Sequence, residues 1–448
     1  MDVKPIKYNI GAYKIYILNM PSKNVYVGGF IENGAINESK KNCGINHLLE
    51  HVLINAWDKC NSQSCFTYWD KRPVYLNASA NTTYVDYFIN GLQKEMKDMV
   101  EYIFDIITNP VISEKNVNTE KKIVKNELYK IINHPTTPMV HKMNEVLYNK
   151  PGIINSTNYE LQVNNLQTIS TKDIVNYYNK IYTAEKTSFY VSGNFTNHQT
   201  REIIDMFRNI ITDDDYVKNV KNVKNVKNVK NVKNVNNLPI YYNDVFTYNG
   251  KIVHHKNTSA KNTDFCLAIP LTKNYIKYSN YRTSLKLLKT IMNIHLFNLL
   301  RTQLQLIYGI HVSFNVCYYG VEIVIQGSCI DENIKPVLSE LMKWLTNVPT
   351  MKVTLDELEQ SIGKRLLKIN DKKITPYSLC KYYEKQIHLH GAKKNVRLLS
   401  REDELDAIKK TTLLDLKNMQ KCILVKHAVI GYTSKRSSRI SLASILPK

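Results

Sequence analysis

A tract of a three-residue repeat, Val-Lys-Asn, is the feature that most limits how this chain can fold. The repeat covers residues 217–235 within a polar stretch, residues 213–238. A period of three fits neither the helical period of about 3.6 residues nor the alternation of a strand. Such a tract is typical of a flexible linker, with a polybasic contact arm as the alternative. It predicts two domains in the 448-residue chain, residues 1–212 and residues 239–448.

The two halves predict the same coarse order of elements. The first half predicts strands at 14–18, 25–31 and 188–192, a hairpin at 74–90, and helices at 92–108, 113–133 and 171–181. The second half predicts strands at 265–271, 308–316, 321–326 and 423–430, and helices at 281–301, 331–346, 354–369 and 412–420. This repetition predicts an α+β fold with two homologous α/β-roll domains, each a mixed or antiparallel sheet covered by helices.

The chain is strongly basic, with 61 Lys and Arg against 39 Asp and Glu, a net charge of +22. This charge would suit nucleic acid, an anionic membrane or acidic peptides. Neither a helix-turn-helix nor zinc-finger spacing is present, and the Lys and Asn bias is typical of an AT-rich genome. A nucleic-acid-binding scaffold is therefore the weaker alternative. No run approaches the roughly 20 apolar residues that span a membrane.

The eight cysteines are scattered and form no CxxC pair. This pattern predicts reduced, buried thiols in a cytoplasmic compartment, with Cys60 and Cys65 as a pair in a loop. Residues 1–7 lack the apolar core of a signal peptide, so we expect none.

The segment His47-Leu-Leu-Glu-His51 predicts a metal site. Two histidines four residues apart share one face of a helix, where both imidazoles can bind one zinc ion. Glu50 would project beside that face, within reach of a water on the zinc. HxxEH is the inverted form of the commoner HExxH motif. A helix with two half-buried histidines is the structural alternative.

A catalytic zinc needs three protein ligands and one open position. The predicted helix over 113–133 carries Glu120 and Glu127, which are seven residues apart and so lie on one face. One could bind the metal while the other holds a ligand in place. A solvated charged face is the alternative, because Lys121, Lys122 and Lys125 lie nearby.

These motifs resemble the M16 family of zinc peptidases, which includes pitrilysin, insulin-degrading enzyme and mitochondrial processing peptidase. HxxEH is followed, 76 positions after His51, by the second Glu of ExxxxxxE. Further similar segments are Asn77-Ala-Ser-Ala80, Thr108-Asn-Pro110, Val191-Ser-Gly-Asn-Phe195 and a second-half LRxxxxLxY-like segment with Arg301 and Tyr308.

The resemblance implies a zinc metalloendopeptidase with one zinc ion per chain, held by His47, His51 and Glu127. Glu50 would activate a water on the zinc, and Glu120 would orient a ligand. Substrate would add as a strand near Asn77 and Ala78.

The resemblance also implies that Arg301 and Tyr308 contact substrate from an opposite wall, in a chamber that family members build from four domains. The sequence predicts two domains in this chain. The resemblance therefore implies a homodimer or a pair with a second M16-like chain. A catalytically inactive M16-like structural or binding subunit is the main alternative.

Overall fold

A computed structural model of the protein describes residues 3–60, 64–212, 245–258, 261–317, 319–390, 398–435 and 440–446. The predicted linker, residues 213–238, lies outside these described residues.

The described residues form two sheets. The strands of the first are β1 (Ile6–Ile10), β2 (Tyr13–Asn19), β3 (Asn24–Ile31), β4 (Val74–Ala80), β5 (Val85–Leu92) and β6 (Thr187–Gly193). The strands of the second are β7 (Lys251–Lys256), β8 (Thr263–Pro270), β9 (Gly309–Cys317), β10 (Gly320–Cys329) and β11 (Val429–Ser434).

Helices connect and cover these strands. Those before the repeat are α1 (Ile45–Ile54), α2 (Cys65–Trp69), α3 (Met96–Thr108), α4 (Glu114–Ile132), α5 (Thr137–Leu147), α6 (Pro151–Asn155), α7 (Tyr159–Thr168), α8 (Thr171–Ile181) and α9 (Asn197–Thr212). Those after it are α10 (Tyr281–Phe297), α11 (Ile334–Asn347), α12 (Leu355–Asn370), α13 (Pro376–His390), α14 (Arg401–Lys409) and α15 (Leu413–Gln420). Among the described residues, no helix combines the length and the apolar character needed to cross a membrane.

The two sheets repeat one strand order. The first is ordered β1-β2-β6-β3-β5-β4 and the second β7-β11-β8-β10-β9. If β1 is left out and the remaining strands of each half are numbered in chain order, the two sheets have the same order of strands. The β2–β6 and β7–β11 pairs are parallel, and the other neighbours are antiparallel. The predicted α+β class, with two mixed sheets covered by helices, is confirmed.

The described chain divides into two compact units that each draw on both halves. The first unit comprises residues 1–128, 161–238 and 374–398, and the second comprises residues 129–160, 239–373 and 399–448. Helix α5 therefore belongs to the second unit, where it packs on β7 and β11. Helix α13 belongs to the first unit, where it packs on β2, β3 and β6. The boundaries at residues 212 and 239 stay a prediction, but each half supplies helices to the other unit: the first half supplies α5 and α6, and the second half supplies α13.

Apolar spacing explains why α13 packs on the first sheet. Leu379, Cys380 and Tyr383 recur on one helical face, and all three are buried with Tyr26 and Tyr190 in one core cluster. Full burial of a large apolar side chain contributes roughly 1.5–3 kcal/mol, so this face holds the helix on the sheet.

Three predicted elements differ from the structure. Helix α10 ends at Phe297 and continues as a π-helical segment, Asn298–Gln303, which contains Arg301. The last predicted strand, residues 423–430, begins later in the structure, because Val425–His427 forms a short 3-10 turn and pairing with β7 starts at Val429. Residues 85–92 extend the hairpin, so the helix predicted from residue 92 begins at Met96.

Candidate metal centre

Helix α1 presents the HLLEH segment, and its first turn is fixed by two features. Gly44 precedes the helix with a φ of 91°, a left-handed conformation that glycine adopts more readily than other residues. The carboxylate of Glu38 accepts hydrogen bonds from the N–H groups of Gly44, at 2.9 Å, and Asn46, at 2.8 Å. A carboxylate at this end of a helix satisfies N–H groups that the helix leaves unpaired. These contacts set where the histidines of α1 lie.

Apolar residues of α1 are buried in the first unit: Leu48, Leu49, Val52, Leu53 and Ile54. The side chains of His47 and His51 remain 23% and 21% exposed. The helix is thus anchored by its apolar face, and both imidazoles stay accessible to a small ion.

Three side chains bring their possible ligand atoms together. Glu127 Oε2, on α4, lies 3.8 Å from His47 Nε2 and 3.4 Å from His51 Nε2. One ligand atom from each of the three residues lies within 4.8 Å of the other two. The structure therefore places the three residues that the sequence predicted as metal ligands in one cluster.

The cluster fits zinc by donor type and by spacing. Zinc takes nitrogen and oxygen ligands at about 2.0–2.2 Å, so neighbouring ligands of a tetrahedron lie roughly 3.3–3.5 Å apart. The separations of 3.4 and 3.8 Å differ from that range by a few tenths of an ångström at most. Three protein ligands leave a fourth position for water or substrate, as in catalytic zinc sites.

Glu120 is not part of a solvated charged face. It is 4% exposed, and its Oε2 lies 3.3 Å from His51 Nδ1. A carboxylate that accepts the Nδ1–H of a histidine leaves Nε2 with a lone pair for a metal. Glu120 Oε1 also accepts a hydrogen bond from Asn55 Nδ2 at 3.0 Å. Sequence reasoning missed Asn55, whose only signal is its place directly after the last turn of α1.

Glu50 lies beside the cluster, with one carboxylate oxygen near His51. Its Oε2 is 3.9 Å from His51 Nε2, and the residue is 6% exposed. Burial raises the pKa of Glu50 to about 7; the nearby His51 opposes this rise, whereas Glu127 adds to it. A carboxyl with a pKa near neutrality can both accept and return a proton.

The two histidines differ in their affinity for protons. Burial, and then the neighbouring His51, lower the pKa of His47 to about 4. Burial also lowers the pKa of His51, but the hydrogen bonds to Glu120 and Glu127 outweigh it and raise that pKa to about 10. Without a metal, His51 therefore holds a proton more tightly than His47 does.

Asn77 and Ala78 lie on β4, the edge strand of the first sheet, which packs beside α1. Asn77 Nδ2 donates to Tyr75 Oη at 3.0 Å, and Asn77 Oδ1 accepts from the N–H of Ala78 at 2.9 Å. An edge strand can accept another strand through its main chain.

Arg301 and Tyr308 belong to the second unit. Arg301 Nη1 donates to the carbonyl of Ile307 at 3.1 Å, and the residue is exposed. Tyr308 is 56% exposed, and its N–H donates to Ser328 O. Their predicted contacts with substrate stay a prediction.

The expectation of reduced thiols is wrong for Cys60 and Cys65, which form a disulfide. The other cysteines are not disulfide-bonded: Cys43, Cys266, Cys317, Cys329, Cys380 and Cys422. The Cα atoms of Cys60 and Cys65 lie 5.3 Å apart, within the usual range for a disulfide.

Two models of one peptidase family match successive parts of the chain. Residues 14–161 match the insulinase model of peptidase family M16, and residues 168–364 match the model of the M16 inactive domain.

Curated relatives match a shorter part. The beta subunit of the mitochondrial-processing peptidase of Rattus norvegicus is 22% identical over 177 residues, which are 40% of this chain and 36% of that protein. Cytochrome b-c1 complex subunit 1 of Bos taurus is 20% identical over 177 residues, again 40% of this chain and 36% of that protein. The chain thus spans little more than a third of the length of these relatives.

A solved structure matches nearly the whole chain. A protease from Helicobacter pylori superimposes with a TM-score of 0.76 at 13% identity, covering 96% of this chain and 100% of that one. At this identity the likeness establishes the fold.

Proposed function

Since the chain belongs to the M16 peptidase family through both matched domains, we propose that it is a zinc-dependent metalloendopeptidase. Its substrates would be short or unfolded polypeptides, whose peptide bonds it hydrolyses.

One observation carries this proposal: His47, His51 and Glu127 converge within 4.8 Å, and the buried carboxyl of Glu50 lies 3.9 Å from His51 Nε2. A metal site that serves structure alone is normally closed by four protein ligands and needs no proton acceptor. Three ligands with an adjacent acid are typical of hydrolysis.

The residues divide the chemistry between them. Zinc held by His47, His51 and Glu127 would supply a Lewis acid that acidifies a water and polarises the substrate carbonyl. Glu50 takes the proton of the attacking water and returns it to the departing amine. Glu120 accepts the Nδ1–H of His51 and holds that ring in place.

Substrate would bind as a strand along the free edge of β4. Main-chain pairing gives affinity with little demand on sequence, and Asn77 and Ala78 would flank the peptide. Arg301 and Tyr308 would contact substrate from a second wall, where a cation and a phenol can stabilise a developing oxyanion. Their exposure leaves both side chains accessible for this role.

The working form would contain two chains, either a homodimer or a pair with a second M16-like chain. This chain holds the candidate zinc ligands in one unit and the Arg301–Tyr308 pair in the other. One relative is by name a subunit of a processing peptidase, which supports an assembly of more than one chain.

A zinc and peptidase assay tests the proposal. The purified chain should hold one zinc ion and should cleave an unstructured fluorogenic peptide until a chelator is added. Glu50→Gln should retain zinc and lose roughly 100- to 10,000-fold in kcat, because it removes only the proton acceptor.

Glu340→Gln is the matched control, since this helical glutamate belongs to the second unit and pairs with Lys343 at 3.8 Å. It should leave kcat unchanged. A chain that binds zinc without cleaving, with Glu50→Gln like the parent, would instead be an inactive M16-like subunit. A chain that binds no zinc and binds nucleic acid with steep salt dependence would be the basic scaffold.

A further inference from the structure

Asn55 makes three side-chain hydrogen bonds at the end of α1. Its Oδ1 accepts from Ser64 Oγ at 3.0 Å and from the N–H of Cys65 at 2.9 Å. Its Nδ2 donates to Glu120 Oε1 at 3.0 Å. One amide thus joins the turn that precedes α2 to a carboxylate of α4.

The donors at Cys65 and Ser64 fix which way this amide points. A backbone N–H can only donate, so the atom that faces Cys65 must be the amide oxygen. The planar amide then directs its NH₂ group at Glu120. The opposite orientation would set two donors against each other and an oxygen against a carboxylate, which is unfavourable at both ends.

The same amide constrains His51 through Glu120. Glu120 is buried, and its two oxygens are held separately, Oε1 by Asn55 and Oε2 by His51 Nδ1. With both oxygens held, the carboxylate cannot rotate, so the acceptor for the Nδ1–H of His51 stays in place. The Nε2 atom of the same ring then faces Glu127 at 3.4 Å.

The Cys60–Cys65 disulfide lies at the far end of this series of contacts, beside Ser64. Cys60 ends a 3-10 turn, Asp58–Cys60, and Cys65 begins α2, whose N-terminus Ser64 caps by accepting from Phe66 N–H. Cys60 and Cys65 are 1% and 0% exposed, so the bond acts as an anchor and not as a pair of exchangeable thiols. By tying Cys65 to Cys60, it keeps Ser64 and Cys65 at the amide oxygen of Asn55.

We propose that Asn55 is a positioning residue of the metal centre, and that the Cys60–Cys65 disulfide holds it in its working orientation. Through Glu120, Asn55 keeps His51 Nε2 directed at the shared ligand position. This inference rests on the proposed zinc site and adds to it a support that neither HxxEH nor the paired glutamates contain.

An exchange of donor and acceptor tests the central contact. Asn55→Asp keeps an acceptor for Ser64 and Cys65 but sets a second carboxylate against Glu120. Zinc affinity, measured by competition with a chelating dye, should fall roughly 10- to 100-fold, the usual cost of losing a group that supports a ligand.

Adding Glu120→Gln to Asn55→Asp should restore much of that affinity, because the new glutamine can donate to residue 55 and still accept from His51. Asn116→Asp is the matched control. Asn116 also donates from α4 to α1, at 2.9 Å to Val52 O, but that contact does not lead to His51. Its zinc affinity should equal that of the parent, and circular dichroism should show every variant folded.

The disulfide is tested by the double variant Cys60→Ala and Cys65→Ala, with the buried thiol variant Cys380→Ala as control. The double variant should lose zinc affinity in the same direction as Asn55→Asp, but by less. In the metal-free chain, the side-chain amide protons of Asn55 should exchange with solvent faster in the double variant than in the parent.

Zinc affinity equal to the parent in Asn55→Asp, or no recovery on adding Glu120→Gln, would overturn the inference while leaving the zinc site intact. If the parent binds no zinc, the proposed function fails, and the exchange rates of the metal-free chain decide the inference alone. Faster exchange in the double variant supports it, and equal exchange overturns it.

Discussion

The two halves of the chain use one arrangement of strands and helices for different purposes. Helix α1 lies in sequence between β3 and β4, and α10 lies between their counterparts β8 and β9. In the same way, α4 and α12 are the second helices after β5 and β10. In the first half, α1 and α4 bring two histidines and three glutamates together. In the second half, the corresponding helices carry a different set of polar contacts.

A histidine–glutamate pair is present in both halves, but its surroundings differ. In the second half, His295 Nε2 on α10 lies 2.5 Å from Glu357 Oε1 on α12. Glu357 also caps its own helix by accepting from the N–H of Thr354 at 2.8 Å. Nearby, Lys286 and Arg365 both pair with Glu404, at 2.6 and 3.1 Å. These contacts stabilise the second unit. They also occupy the carboxylates of Glu357 and Glu404, which a metal would need as ligands.

The comparison shows that the scaffold alone does not make a metal centre. Among the described residues, the three-ligand group found is that of His47, His51 and Glu127. The difference between the halves lies in a few side chains, as expected where function is built on a shared fold.

The largest expected effect is on zinc binding. His51→Ala removes one of three ligands, so zinc affinity should fall by more than about 100-fold, beyond the cost of losing a supporting group. His295→Ala, the counterpart in the second half, should leave zinc affinity unchanged. Isothermal titration of both metal-free variants measures this, and an equal loss in the two would contradict the distinction between the halves.

The exchanged helices provide the next test, because α13 carries a buried charge cluster to the first sheet. Lys381 pairs with Asp86 and, at 2.9 Å, with Glu384, which also accepts from Tyr26 Oη at 2.7 Å. Lys381→Met would leave two buried carboxylates without their cation. The free energy of unfolding should then fall by about 3 kcal/mol in a urea titration.

The exposed Lys385 on the same helix is the control for that measurement, and Lys385→Met should change stability by less than about 0.5 kcal/mol. By contrast, α5 docks on the second sheet through Met139 and Met143, which pack at Gly431. If Lys381→Met were as mild as Lys385→Met, the buried cluster would not hold α13 in place.

Glu120 and Glu357 should separate support of a ligand from support of a helix. Glu120→Ala should weaken zinc binding roughly 10- to 100-fold, because His51 loses the acceptor of its Nδ1–H. Glu357→Ala should leave zinc binding unchanged and cost about 1 kcal/mol of stability through its lost helix cap. Dye competition and urea unfolding, applied to both variants, give the two readouts. If Glu357→Ala weakened zinc binding and Glu120→Ala did not, the glutamate that supports a zinc ligand would not lie in the first half.

Per unit of pH, the smallest expected effect is the dependence of zinc binding on pH. The pKa of His51 is raised to about 10, so below that pH the metal-free chain holds a proton on the ring. Zinc needs the unprotonated nitrogen and therefore releases this proton. Apparent zinc affinity should rise with pH, by up to about tenfold per unit between roughly pH 6 and 9. Glu120→Gln should flatten this rise, because the hydrogen bond to Glu120 helps to raise the pKa; an unchanged slope would contradict that cause.

The local features of the protein follow from its amino-acid sequence. A spacing of four residues sets His47 and His51 on one helical face, and a spacing of seven sets Glu120 and Glu127 on another. These faces follow from the helical period, which depends only on neighbouring residues. The alternation of strands and helices likewise predicted the α+β class, because burial of one face per element is a local pattern.

Which distant groups meet is set by the packing of the folded chain and cannot be predicted from spacing. The exchange of α5 and α13 between units has no local signature, since an apolar face does not specify which sheet will cover it. The proposed support of His51 by Glu120, Asn55 and the Cys60–Cys65 disulfide depends on contacts between α4 and α1. Such contacts are selected by the packing of the whole chain, where buried polar groups must find partners that sequence spacing does not specify.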